Sequence, residues 1–214
     1  MTEYFERTAA SYDRVATTYA EQFFDELAHK PLDRALLNTV IELVGAGSPI
    51  ADIGCGPGQV TRFLHDGGAT ATGIDLSAGM VAAARAASPE VAFRQGSMLD
   101  LPLEDGSLAA IVSFYAIIHL RQEEIGLAFQ EFRRVLRPGG SLLLAFHVGD
   151  QRIHRDEWWD QPVDLDFYFL DPETIETTLT DSGFTVEMTL QRRPYEPHEF
   201  PSRRACLLAR ASES

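Results

Sequence analysis

The sequence predicts an α/β domain built on a mostly parallel sheet with helices on its faces. Short apolar runs alternate with helical patterns from about residue 50 to residue 148; two of those runs are apolar almost throughout; and a glycine-rich turn follows the first. Such alternation makes neighbouring strands parallel, and near-continuous apolar runs mark strands buried on both sides. With 214 residues, 45% of them hydrophobic, the chain can bury one sizeable core, so a single domain over 1–214 with a modest insertion at 149–170 is expected.

Residues 4–44 are rich in helix formers interrupted by Pro31, which predicts one helix before it and a second from about Leu32 to Val44, stopped by "GAGSP". A strand at 50–53, a helix from Gly58 to His65, a strand at 70–74, a helix from Ser77 to Ala87 and a strand at 91–94 continue the pattern. "LAAIVSFY" (108–115) and "SLLLAFHV" (141–148) are the two central strands. Between them "EEIGLAFQEFRRVLRPGG" is an amphipathic helix expected to close at Arg137, before Pro138 and two glycines. In the insertion, Val163, Leu165, Phe167 and Phe169 alternate with polar partners and Tyr168, which predicts an extended segment. Asp171 as N-cap, Pro172 at the first helical position and Gly183 as a stop define the last helix. Two final strands, near 184–191 and 203–210, are joined by a loop long enough for a hairpin, so the last strand is expected to run antiparallel.

Charge narrows the partners. With 32 acidic against 18 basic side chains the formal charge is −14, which repels nucleic acid and anionic membrane surfaces. Cys55 and Cys206 form no CxxC pair, so neither a disulfide framework nor a metal site is expected, and a reducing cytoplasm fits. No stretch approaches the ~20 apolar residues that span a bilayer, and no signal-peptide pattern opens the chain, so a cytoplasmic protein, neither secreted nor membrane-inserted, is expected.

The segment "ADIGCGPGQV" (51–60) places bare backbone at the carboxyl edge of the sheet, where α/β folds bind nucleotides. A dinucleotide fingerprint would read G-x-G-x-x-G; Gly54, Gly56 and Gly58 read G-x-G-x-G, with Gln59 where the third glycine would stand. No P-loop lysine follows, which disfavours a nucleoside triphosphate. Alone, the segment is also compatible with a plain tight turn. Asp75 ends the second strand 17 residues beyond Gly58, where an acid can accept from both ribose hydroxyls, and it points to a nucleoside.

Together "ADIGCGPGQ", "GIDLSAGM", "GSMLDLPLEDGSL" and "LRPGGSLLLAF" resemble, in order, four motifs of the class I S-adenosylmethionine-dependent methyltransferases, particularly their small-molecule branch; the resemblance covers roughly residues 10–210. It implies a Rossmann-like three-layer sandwich with a seven-stranded sheet of order 3-2-1-4-5-7-6 and strand seven antiparallel. It also implies S-adenosylmethionine as cofactor, with Asp52 steadying the glycine loop and Gly54, Cys55, Gly56 and Gly58 around the methionine part. Asp75 would hold the ribose, Leu76 and Met80 would pack on the adenosine, Ser97 and Met98 would meet the adenine, and Phe114 and Tyr115 would lie beside the reacting methyl. The chain departs from the family at Ser97, where an acid is common, and at Ala109, where Asp is common. "SYDRVATTYAEQF" resembles the helix that many relatives fold over the cofactor, so residues 1–44 are expected as a helical lid and residues 1–20 as dispensable for folding the sheet. Tyr12 and Tyr19, seven apart, share a helical face. They either pack amphipathically or, as lid residues, bring Tyr19 to the cofactor carboxylate and Tyr12 to the acceptor.

The expected reaction is methyl transfer by in-line displacement to oxygen or nitrogen of a small acceptor, for which alignment and exclusion of water supply much of the acceleration. A hydroxyl acceptor must also lose its proton, and histidine suits that task near neutrality. His119 after strand four and His147 at the end of strand five are the candidates, each with a purely structural role as its alternative; His29, His65, His154 and His198 lack such placement. Trp158, Trp159, Phe167, Tyr168 and Phe169 form either a substrate wall or core packing. A monomer or homodimer is expected. A non-catalytic cofactor-binding module and a dinucleotide-dependent oxidoreductase are the competing classes.

Overall fold

The computed structural model describes residues 3–213; residues 1, 2 and 214, included in the expected domain and lid, lie outside the described residues. The chain begins with helices α1 (Glu3–Phe23) and α2 (Pro31–Val44). It then alternates through β1 (Pro49–Ile53), α3 (Gln59–Asp66), β2 (Thr70–Asp75), α4 (Ala78–Ala87), β3 (Ala92–Gln95), β4 (Leu108–Phe114), α5 (Gln122–Val135) and β5 (Leu136–His147). A hairpin of β6 (Arg152–Trp158) and β7 (Gln161–Tyr168) precedes α6 (Pro172–Asp181), β8 (Phe184–Arg192) and β9 (Arg204–Ala211).

The main sheet has the order β3-β2-β1-β4-β5-β9-β8. Its first five strands are parallel, and β9 runs antiparallel to both neighbours, so the expected seven-strand order and the reversed last strand both hold. The apolar runs explain the central places: Ala109, Ala110, Ile111 and Val112 of β4 and Leu142 to Phe146 of β5 are buried on both faces. Ala109 is wholly buried between them, so an acid there would have had no water to face.

Two expectations are corrected, and a third meets packing that the sequence did not show. α5 stops at Val135, before Arg137, because Leu136 is drawn into the core opposite Leu108 and Pro138 disfavours a helical Arg137; "LRPGG" is extended, with Gly139 at φ 72°. The insertion forms its own two-stranded sheet rather than one extended segment, since Trp159 and Asp160 take φ 52° and 59° in a two-residue turn. Residues 1–20, expected to be dispensable for folding the sheet, also contribute to the core: Tyr4 and Phe5 are buried with Ile117, Phe129 and Phe132, and Val15 packs on Val163 and Leu165 of the hairpin. Asp171 caps α6 by accepting from the Thr174 amide, as its position indicates.

Candidate active site

A cavity of about 550 Å³ opens above the carboxyl ends of β1, β2, β4 and β5. One half is built largely of backbone. Gly54 sits at φ 76°, and a Cβ on it would run into the Ala116 side chain just past β4. Gly56 lies at φ 53°, and the nearest atom to a Cβ there is Tyr19 Cε1 at 4.0 Å, so the bare loop leaves open space beneath the tyrosine. Asp75 holds this arrangement: Oδ2 accepts from the Gly56 amide and Oδ1 from the Ser77 amide, both at 2.8 Å. Burial pushes the Asp75 carboxyl up from its ordinary value, and the two amides pull it back.

Three of the expected loop residues make contacts of their own. Asp52 lines the cavity and its Oδ2 accepts from Thr61 Oγ1 at 2.7 Å, tying β1 to α3, and burial pushes its carboxyl up to about 7. Gly58 is absent from the cavity wall: a Cβ there would lie 2.8 Å from Phe93 and 3.1 Å from Ala84, so it permits close packing of helix on sheet. That is the packing task a third fingerprint glycine performs, moved one residue forward of Gln59. Cys55 lines the cavity while its side chain packs in the cluster of Val81, Ala84, Val91 and Phe93. Leu76, Met80, Ser97, Met98, Phe114 and Tyr115 all line the cavity. Tyr115 takes φ 55°, and its buried hydroxyl has no partner among the described residues.

The other half is built of side chains from distant segments. The Tyr12 hydroxyl lies 2.8 Å from His119 Nε2, and His119 Nδ1 lies 2.8 Å from the Asp166 carbonyl. A carbonyl only accepts, so Nδ1 carries the proton, Nε2 presents its lone pair and Tyr12 donates to it. Burial holds the His119 imidazole down at about 4. His147 Nδ1 is 2.8 Å from Ser202 Oγ, and its ring stacks 5.2 Å from Phe169 and lies 5.1 Å from Tyr115. Burial and the Arg204 cation hold it at about 4 as well. Tyr12 and Tyr19 meet edge to face at 6.0 Å, and Trp158 closes over both.

Of the expected aromatic wall, Trp158, Phe167 and Phe169 line the cavity, whereas Trp159 and Tyr168 do not. Trp159 lies past the end of β6 at positive φ and stacks behind Trp158 at 4.7 Å. Tyr168 is on the opposite face of β7 from Phe167, as strand alternation requires. Sequence reasoning missed Ile153 and Arg155, because β6 carries too many charges to read as a strand, and missed Phe200, which enters from the proline-rich loop. It also missed Asp13: its Oδ1 accepts from Ser77 Oγ at 2.6 Å and from the Gly79 amide at 2.8 Å, joining α1 to the first turn of α4.

Comparison with known proteins agrees with this geometry. A family model described as a methyltransferase domain matches residues 50–140. An uncharacterized methyltransferase of Anoxybacillus flavithermus is 29% identical over 199 residues, covering 88% of this chain and 92% of its own length. Another, of Geobacillus sp. (strain WCH70), is 34% identical over 142 residues, covering 66% of this chain and 64% of its own. The solved magnesium protoporphyrin IX methyltransferase of Synechocystis PCC 6803, with bound SAM, superposes with a TM-score of 0.75 at 17% identity, covering 99% of both chains. The fold and its glycine-lined sheet edge are those of a Rossmann-like methyltransferase. The chain belongs to the class I S-adenosylmethionine-dependent methyltransferases; it is an enzyme of that class and uses that cofactor, which sets the oxidoreductase alternative aside. Among the described residues no helix is long and apolar enough to cross a membrane, and no group of side chains could hold a metal ion.

Proposed function

We propose that this methyltransferase acts on oxygen or nitrogen of a small-molecule acceptor that enters between α1 and the β6–β7 hairpin, with α1 as the lid. One observation carries the reading: the Tyr12–His119 pair and the bare loop at Gly54 and Gly56 line the same cavity. A volume near 550 Å³ with aromatic walls suits a small organic molecule better than a polymer. The open space above Gly56 fits the cofactor, with Asp75 toward the ribose, Leu76 and Met80 against the adenosine, and the Ser97–Met98 backbone toward the adenine. Tyr19, over Gly56, is placed for the carboxylate end, and Phe114 and Tyr115 for the methyl end. When bound, S-adenosylmethionine supplies a methyl group on a sulfonium.

The chain supplies alignment and a route for the acceptor's proton. Since Tyr12 occupies Nε2, His119 reaches the acceptor through it: the acceptor proton passes to the Tyr12 oxygen as the Tyr12 proton passes to His119 Nε2. The Asp166 carbonyl keeps Nδ1–H in place throughout. The Asp166 side also favours the imidazolium, whereas at His147 the Arg204 and Lys30 cations oppose one and Glu199 favours it. His147 is therefore assigned to the wall, holding the acceptor with Phe169, and Trp158 and Phe167 oppose it.

Calorimetric titration with S-adenosylmethionine and with NAD tests the cofactor half, and release of S-adenosylhomocysteine over a panel of phenols, carboxylates and amines tests the acceptor half. Asp75→Ala should weaken cofactor binding by about 1–3 kcal/mol, the loss of hydrogen bonds to a charged group. Unchanged affinity in the folded variant refutes the ribose assignment.

A further inference from the structure

Every charged side chain lining the cavity but one has an ion-pair or hydrogen-bond partner among the described residues. Lys30 donates to Glu26 at 2.6 Å, Arg204 Nε lies 3.2 Å from Glu199, Asp75 accepts from two amides and Asp52 from Thr61. Arg155 lines the same cavity and makes no hydrogen bond or ion pair with any of the described residues; its guanidinium rests 5.0 Å from the centroid of the Trp158 ring.

Strand alternation makes this placement specific. Across the β6–β7 ladder Arg155 stands opposite Leu165 and Ile153 opposite Phe167, so Arg155 shares the face whose other members are apolar. Leu165 is fully buried, and Ile153 and Phe167 line the cavity. The opposite face holds the hairpin's paired charges, with Arg152 and His154 both on Asp166 at 2.8 and 2.9 Å. A half-buried cation on the apolar face, with an aromatic ring but no counter-ion beside it among the described residues, is left open to an anionic ligand. A planar guanidinium presents the fork that a carboxylate matches with two hydrogen bonds.

We propose that Arg155, held on the Trp158 ring, anchors a carboxylate on the methyl acceptor, whose flat apolar body lies along Phe167. The acceptor class is thus an aromatic or conjugated carboxylic acid held by its acid group at the hairpin. This rests on the reading that the hairpin side of the cavity receives the acceptor. The overall charge of −14 lends the site its selectivity, because an organic acid gains nothing from the rest of the surface.

The test titrates the full chain, with and without S-adenosylhomocysteine, with 2-naphthoate and with its neutral isostere 2-naphthamide, following tryptophan fluorescence. Wild type should bind the carboxylate about 10–100-fold more tightly, the range of a charge-assisted hydrogen bond. Arg155→Gln should abolish that preference and leave naphthamide and S-adenosylhomocysteine affinities unchanged; Arg155→Lys should restore part of it. Equal affinities in wild type, failure to bind naphthoate, or a preference that survives in Arg155→Gln would each overturn the proposal. So would a loss of S-adenosylhomocysteine affinity in Arg155→Gln, which would put the guanidinium on the cofactor's own carboxylate. A wild type that prefers naphthoate yet does not bind S-adenosylhomocysteine would refute the cofactor assignment and leave the anion site standing.

Discussion

The two halves of the cavity are made by different means. On the glycine-loop side the contacts join residues close in sequence through the sheet: Asp75 reaches the Gly56 amide 19 residues away and the Ser77 amide two away. Parallel pairing of β1 with β2 sets those distances, and the backbone supplies most of the polar groups. On the hairpin side, Tyr12 reaches His119 across 107 residues, and His119 reaches the Asp166 carbonyl across 47. There the sheet sets only His147, at the end of β5, and His119, just past β4; Tyr12, Trp158 and Phe167 belong to segments that pack on the core from outside.

The largest effect expected from breaking this contrast falls on rate. Tyr12→Phe and His119→Gln should each lower kcat by about 10²–10⁴-fold and leave S-adenosylhomocysteine affinity unchanged, because they lie in the hairpin half. Acting as one relay, the double variant should be little slower than the worse single one. Wild-type turnover in Tyr12→Phe would remove the relay and leave alignment as the whole mechanism.

The next effect is on stability against pH, and the two halves carry opposite signs. His119 and His147 are held near 4, below the ordinary 6.5, so they contribute stability present above pH 6.5 and lost as pH falls toward 4. The shift corresponds to at most ~3 kcal/mol per histidine. Asp52 is held near 7, above its unfolded value of 3.8, so its contribution is most favourable below that value and declines as pH rises to 7. Urea midpoints between pH 4 and 7.5 should show a shallower acid-side loss for His119→Gln and a steeper one for Asp52→Asn. Parallel profiles for all three proteins would mean that neither site titrates apart from the unfolded chain.

A smaller effect belongs to Asp13, which links the halves by joining α1 to the start of α4. Asp13→Ala should lower stability by about 1 kcal/mol, as loss of a helix-terminal acceptor does. A urea midpoint unchanged from wild type would show that water replaces the carboxylate.

The legible parts of the molecule are those whose determinants are local. Asp171 and Pro172 announced α6 because a cap acts within one turn, and the apolar runs of β4 and β5 announced central strands because burial on both faces leaves no polar positions. The glycine loop and Asp75 were legible for the same reason. The end of α5 was misjudged because Leu136 answers to the core opposite Leu108 as well as to its own helix.

By itself, then, the sequence determined the alternation of strands and helices, the reversed last strand and the bare backbone edge of the sheet, since short-range periodicity and turn chemistry decide these; the strand order came from the family resemblance that its motifs carry. Tertiary structure alone decided that Asp75 holds the Gly56 amide while Asp52 holds Thr61, that Gly58 packs while Gly54 and Gly56 line the cavity, and that Tyr12 meets His119. It alone turned Arg155 toward the cavity and Tyr168 to the other face of β7, against the core. Those outcomes depend on which distant segment arrives opposite a given side chain, and one strand's alternation has no memory of that until the hairpin is packed against α1.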